Sequence, residues 1–194
     1  DVPIYVDSPM ALTALDVYRA ALQARRPQFL PTITEHGLTE LFPPRLHLAR
    51  TSEESRHIDA ANGPQIVISA SGMATGGRVL HHLSAALPDP RNTVLIVGYA
   101  AVGTRARDLA TGATTLKIHG RYVPVRARVV ELPGLSAHAD HPEILDWLGT
   151  APAPKTTYIV HGEPTASEYL RDRITERLQW TAVVPRPGEK VLLP

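Results

Sequence analysis

The residues best suited to chemistry in this 194-residue sequence are two loop histidines, each beside small or turn-forming residues. His138 sits in Ser136-Ala137-His138-Ala139-Asp140-His141, and His161 in Val160-His161-Gly162-Glu163-Pro164. An imidazole flanked by small residues is open to a ligand: near neutral pH it donates or accepts a proton, or meets a phosphate as a cation. One placed just past a buried strand offers a ring nitrogen to zinc, oriented by an acceptor on its other nitrogen. Taken singly, each reads more readily as an ordinary surface or hydrogen-bonded loop histidine. Only their combination with other segments shifts that balance.

Two further segments carry a different chemistry. Ser69-Ala70-Ser71-Gly72-Met73-Ala74-Thr75-Gly76-Gly77-Arg78 joins an apolar strand to a helix whose start is rich in glycine and hydroxyl residues. Backbone N–H groups at such a start converge where the helix dipole favours an anion, and glycines let a phosphate approach. The same pattern equally suits a tight strand-to-helix turn with close helix packing, and it is neither a Walker sequence nor a GxGxxG fingerprint. Gly103-Thr104-Arg105-Ala106-Arg107 repeats the theme after the next strand, with a capping threonine and two arginines. Two anion-friendly loops on neighbouring strands suit a polymer of successive phosphates, although each arginine alone reads as part of a solvated helix face.

The elements that position these residues are legible from periodicity. Pro3-Ile4-Tyr5-Val6 is a strand, and Ser8-Pro9 starts a helix to about Arg25 whose Ala11, Leu15, Tyr18 and Leu22 share one face, with Leu12 beside them. Residues 26–44 are proline-punctuated and poorly periodic, Leu46–Ala49 is a short strand, and Ser52-Glu53-Glu54-Ser55 opens a helix. Gln65–Ser69 and Thr93–Gly98 are continuous apolar runs, the pattern of parallel strands buried on both faces of an α/β unit. In such sheets ligands sit at the carboxyl ends of the strands, where both glycine loops fall. From about Thr115 the texture changes. Leu116–His119, a Gly120 turn and Val123–Val130 alternate as a hairpin, and a domain boundary is placed near residue 115. A helix through Ile144–Leu148, a strand Thr157–Val160, a helix Thr165–Leu178 and two short closing strands follow.

Composition bounds the class. A hydrophobic content of 43% is that of a packed globular chain, and no run approaches the roughly 18 apolar residues of a membrane span. No secretory signal pattern is evident, so a cytoplasmic location is the default expectation. With no cysteine, any metal must be held by histidine and carboxylate, and nine histidines keep that open. Net charge of +1 gives no global pull toward nucleic acid, and the arginine bias carries little weight because a GC-rich genome also produces it.

Five ordered motifs together are more specific than any one of them. Asp7-Ser8-Pro9-Met10, Ser71 to Arg78, Gly98-Tyr99 with Gly103-Thr104, Ser136-Ala137-His138-Ala139-Asp140 and Val160-His161-Gly162-Glu163 resemble the β-CASP branch of the metallo-β-lactamase superfamily, which holds RNA-processing nucleases. The resemblance implies an α/β fold: a parallel-sheet β-CASP cap over residues 1–115, then the C-terminal part of a metallo-β-lactamase αββα sandwich over 116–194. It implies that His138 is the motif B histidine that contacts the scissile phosphate and helps protonate the leaving oxygen. It implies that His161 is the motif C histidine, a zinc ligand associated with RNA-acting members. Ser69, Ser71, Gly72, Met73, Gly76, Gly77, Arg78, Gly103, Thr104 and Arg105 then line the RNA path.

The departures from the pattern carry equal information. The signature H-x-H-x-D-H, which supplies most ligands of the two zinc ions in a complete enzyme, occurs nowhere in full, and neither does the acidic motif A that precedes the cap. Position 100 is alanine where relatives commonly carry glutamine. The expectation is therefore a fragment of a zinc-dependent ribonuclease, inactive and weak in zinc alone, lacking the N-terminal half of its catalytic domain and prone to homodimerise. A start at Asp1 fits a fragment. The competing reading is a non-catalytic RNA-binding or complex-scaffolding module of the same family. An unrelated α/β phosphatase ranks last for want of a nucleophile motif.

Overall fold

The computed structural model describes residues 2–27, 29, 33, 42–61, 63–135 and 138–192. The chain divides into two compact units, Asp1–Leu135 and Ser136–Pro194. The fold is mixed α/β.

In the first unit, strand β1 (Ile4–Val6) lies between β2 (Leu46–Leu48) and β3 (Ile66–Ile68), both parallel to it, with Ile4 opposite Leu46 on one side and Ile66 on the other. Helix α1 (Pro9–Gln23) starts where the sequence places it. Proline supplies the first helical φ, and the Ser8 side chain accepts the N–H of Ala11. Leu12 and Leu22 are the residues it buries, whereas Tyr18, expected on the packed face, is half exposed. The buried stripe is thus rotated by part of a turn from the predicted one. Helix α2 (Ser52–Ala60) opens on a capping box in which Thr51 and Glu54 each satisfy the other's backbone N–H. Most of the proline-punctuated stretch lies outside the described residues.

Helix α3 (Val79–Ala86), strand β4 (Thr93–Val97) and helix α4 (Arg105–Ala110) follow. The hairpin of β5 (Thr115–Ile118) and β6 (Arg121–Pro124) pairs Lys117 with Tyr122. Sequence alternation extends the second hairpin arm to Val130. Instead the arm ends as a paired strand at Pro124, opposite Thr115. Val125 then bonds to Thr114, and the N–H groups of Arg126 and Ala127 both turn to the Leu87 carbonyl. The chain re-emerges as β7 (Arg128–Leu132), parallel to β4 with Val94 opposite Val129. One apolar core, including Leu80, Leu83, Leu87, Ile96, Leu116 and Ile118, joins α3, β4 and the hairpin.

The expectation that the apolar runs at 65–69 and 93–98 are buried on both faces is corrected. Ile66, Ile68, Leu95 and Val97 are each about half exposed, while Ile96 is buried between the last two. Each strand is covered on one face, so the apolar run does not by itself report two covering layers.

The second unit holds α5 (His141–Leu148), β8 (Thr157–Tyr158), α6 (Pro164–Leu178) and β9 (Ala182–Val183). Asp140 caps α5 in a reciprocal box with Glu143, and Pro164 opens α6. Strands β8 and β9 are parallel, and Leu145, Ile159 and Ile174 form the core, with Leu148, Leu170 and Trp180 against it. Among the described residues one closing strand is present where two were expected.

Candidate functional site

Asp7, immediately after β1, is fully enclosed. Its carboxylate is the shared acceptor of three side chains: Ser55 Oγ at 2.5 Å, Arg78 Nη1 at 2.5 Å and His82 Nε2 at 2.7 Å. Burial alone would raise the Asp7 carboxyl. The hydrogen bonds from Ser55, Arg78 and His82, with the Arg78 charge, outweigh it and hold the group below its ordinary value. The other ring nitrogen of His82 lies 2.6 Å from Asp59 Oδ1, so the ring bridges two carboxylates.

This hub fixes the first glycine loop at both ends. Ser69 Oγ donates to the Asp7 carbonyl at 2.8 Å, and the Asp7 N–H bonds to Ile68. Arg78 donates further to the carbonyls of Ala49 at 2.9 Å and Arg50 at 3.3 Å, so its guanidinium is turned inward. Between these anchors Ser71 Oγ accepts the Thr75 N–H, Ala74 takes φ 51°, and Gly77 takes φ 83°. A side chain at Gly77 would be strained by that φ. Gly72 and Gly77 are exposed, and no side chain caps the start of α3.

The second loop is brought against the first. Thr104 caps α4, as predicted, by accepting the Arg107 N–H, and its hydroxyl donates to the Ala101 carbonyl at 2.6 Å. Met73 receives the Ala106 N–H on its carbonyl at 3.2 Å and the Ala101 N–H on its sulfur at 3.2 Å. Arg105 donates to the Ala74 and Thr75 carbonyls at 3.2 and 3.4 Å, and through Nε to the Lys117 carbonyl at 2.6 Å. Arg107 lies over the Tyr99 ring, 5.4 Å from its centroid. Two loops well separated in sequence therefore form one surface beyond the carboxyl ends of β3 and β4.

In the second unit His138 is exposed two residues before the Asp140 cap; Ser136 and Ala137 of its motif lie outside the described residues. His161 is exposed and takes φ 67° immediately before Gly162. A Cβ at Gly162 would run into Ser167 Oγ, so a side chain there would force that hydroxyl to turn. Among the described residues no three His, Cys, Asp or Glu side chains converge as a zinc site needs, so the chain's own donors do not fit that metal.

The sequence motifs include Asp7 but give no sign of its partners. His82 sits among Leu80 and Leu83 on α3 and reads as a helix-face residue, and Ser55 and Asp59 read as polar surface of α2. The one available signal is a histidine inside an apolar helix face, which needs a partner when buried.

Comparison with known proteins gives this geometry a context. Residues 1–109 match the Beta-Casp domain family, and residues 122–185 match the Zn-dependent metallo-hydrolase RNA specificity domain family. The chain is 38% identical over 164 residues to ribonuclease TTHA0252 of Thermus thermophilus, covering 83% of this chain and 36% of that protein. It is 30% identical over 170 residues to the transcription termination factor FttA of Pyrococcus abyssi, covering 84% of this chain and 26% of the factor. It is 30% identical over 188 residues to an RNase J-like protein of Methanocaldococcus jannaschii, covering 97% of this chain and 42% of that one. The chain thus spans between about a quarter and two-fifths of the length of these relatives.

Proposed function

We propose that this chain, which belongs to the β-CASP family, is the RNA-holding and substrate-contacting part of a zinc-dependent ribonuclease. The observation that carries the reading is the joining of the loops 69–78 and 98–105 by Met73 and Arg105 into one surface. That surface offers exposed glycine backbone, an uncapped helix start and the Thr104 cap to successive phosphates of a single strand. Ser69 and Arg78 serve it indirectly, through the Asp7 hub that fixes both ends of the first loop.

His138 is proposed to approach the scissile phosphate and to protonate the leaving oxygen, a role open to an exposed loop imidazole. His161 is proposed to be one zinc ligand, its other partners being supplied from outside these residues. A single imidazole cannot hold the metal in a closed or catalytic geometry. The chain alone is therefore expected to bind single-stranded RNA without cutting it. The test incubates purified chain with end-labelled single-stranded RNA, with and without added zinc. A mobility shift with intact RNA is the expected result. Zinc-dependent cleavage abolished in His161→Ala would overturn the division of the metal site, and absence of any shift would overturn the RNA-holding role.

A further inference from the structure

We infer that the outer face of the β5–β6 hairpin, with His81 of α3 beside it, is a second binding surface for single-stranded RNA. This deepens the RNA reading above and rests on it.

The hairpin has two unlike faces. Leu116, Ile118 and Val123 point into the core, whereas Lys117 and Tyr122, opposite each other in the ladder, are exposed on the other face with His119 at the turn; Arg121 is exposed but stands opposite Ile118. Its connection is two residues long, His119 at φ 47° and Gly120 at φ 79°, the pair of positive φ values that a tight type I′ turn requires. Such a turn holds the outward side chains on a rigid ribbon. Tyr122 is 72% exposed, and the Lys117 ammonium, directly opposite in the ladder, lies 5.9 Å from its ring centroid. The His81 and His119 rings lie 4.9 Å apart, tilted 31° to one another. Flat π faces are therefore offered to solvent beside fixed cations.

Charge concentrates in the same stretch. Residues 98–130 carry Arg105, Arg107, Lys117, Arg121, Arg126 and Arg128 against a single acidic residue, Asp108, in a chain whose net charge is +1. The hairpin is also continuous with the glycine loops, because Arg105 bonds the Lys117 carbonyl on one side and the Ala74 and Thr75 carbonyls on the other. Cations that follow a backbone, interleaved with aromatic platforms tolerant of any base, are the requirements of single-strand binding. An acidic peptide would use the cations and leave the rings without a role. Two imidazoles are too few to hold a metal, and no third ligand joins them among the described residues.

The experiment is fluorescence anisotropy of a labelled oligouridylate of about a dozen nucleotides, long enough to cover one site of this kind, titrated with the chain across a salt series. In Lys117→Gln the slope of log affinity against log salt is expected to flatten by about 0.7, the share of one phosphate that is no longer neutralised. Tyr122→Ala is expected to bind about five- to tenfold more weakly and Tyr122→Trp to bind as the unsubstituted chain does, since stacking needs the ring and not its hydroxyl. All these side chains are exposed, so far-UV ellipticity should be unchanged. Unaltered slope and affinity in these variants, with RNA binding intact, would overturn the hairpin surface alone. Failure of the unsubstituted chain to bind would overturn it together with the RNA reading. Polyglutamate competing as well as RNA, with Tyr122→Ala silent, would also refute it.

Discussion

Replacing Asp7 by asparagine tests the hub on which the first glycine loop depends. The amide keeps the shape and one acceptor oxygen but removes the charge and turns an N–H2 toward donors. Arg78 bonds one carboxylate oxygen and Ser55 and His82 share the other, so whichever way the amide turns at least one partner meets an N–H2, and Arg78 loses its counter-charge. Removing one partner of a buried ion pair costs about 3–5 kcal/mol. Arg78 and His82 retain 19% and 10% side-chain exposure, so water offsets part of the loss and about 3 kcal/mol is expected. With a urea dependence of about 2 kcal/mol per molar, the midpoint falls by about 1.5 M. The assay is urea unfolding followed by far-UV ellipticity. Tryptophan fluorescence in the same samples reports on the second unit, since Trp147 and Trp180 both lie there. Asp16→Asn is the control, because its pair with Arg50 at 3.1 Å is about half exposed on both sides and is screened by water. If Asp7→Asn shifts the midpoint no further than Asp16→Asn does, Asp7 is not the common acceptor described above.

The remaining predictions concern acid, the loops and the second core. Because the folded Asp7 carboxyl is held below its ordinary value of 3.8, its stabilisation is present above that pH and is lost as the pH falls through the lowered value. An acid titration by ellipticity should therefore show a shallower loss below about pH 4 in Asp7→Asn than in the parent; parallel curves would contradict the linkage. Arg105→Ala should loosen both glycine loops, raising hydrogen exchange at residues 71–77 and weakening RNA binding roughly tenfold, the scale of one charge-assisted hydrogen bond. Unchanged exchange would show that Arg105 does not tie the loops. Ile174→Ala, at 1% exposure in the second core, should cost about 2–5 kcal/mol, read by the fluorescence of Trp180 packed against it.

Where local chemistry decides the structure, the sequence is sufficient. Ser8-Pro9, Thr51 with Glu54, Thr104 and Asp140 with Glu143 each start a helix through a side chain meeting a backbone N–H a few residues away. What escapes the sequence is decided at longer range. The sequence places the two glycine loops on neighbouring strands, but β3 and β4 belong to different sheets, and it is Met73 and Arg105 that bring the loops together. Val123–Val130 alternates like one strand, yet the Leu87 carbonyl, taking the N–H groups of Arg126 and Ala127, breaks it into two. The apolar runs at β3 and β4 carry no mark of which face is covered, and α1 turns Tyr18 outward although its spacing matches Leu15 and Leu22. The glycines before Arg78 mark it for phosphate, but a carboxylate 71 residues earlier takes its guanidinium. His82 carries no local mark because its partners, Asp7 and Asp59, lie 75 and 23 residues away.

The most direct measurement is photo-crosslinking of the chain to single-stranded RNA carrying 4-thiouridine, with the adducts located by peptide mass spectrometry. The account predicts adducts concentrated in peptides spanning residues 69–78 and 98–122. Adducts confined to α1 or α6, or none at all despite binding, would contradict it.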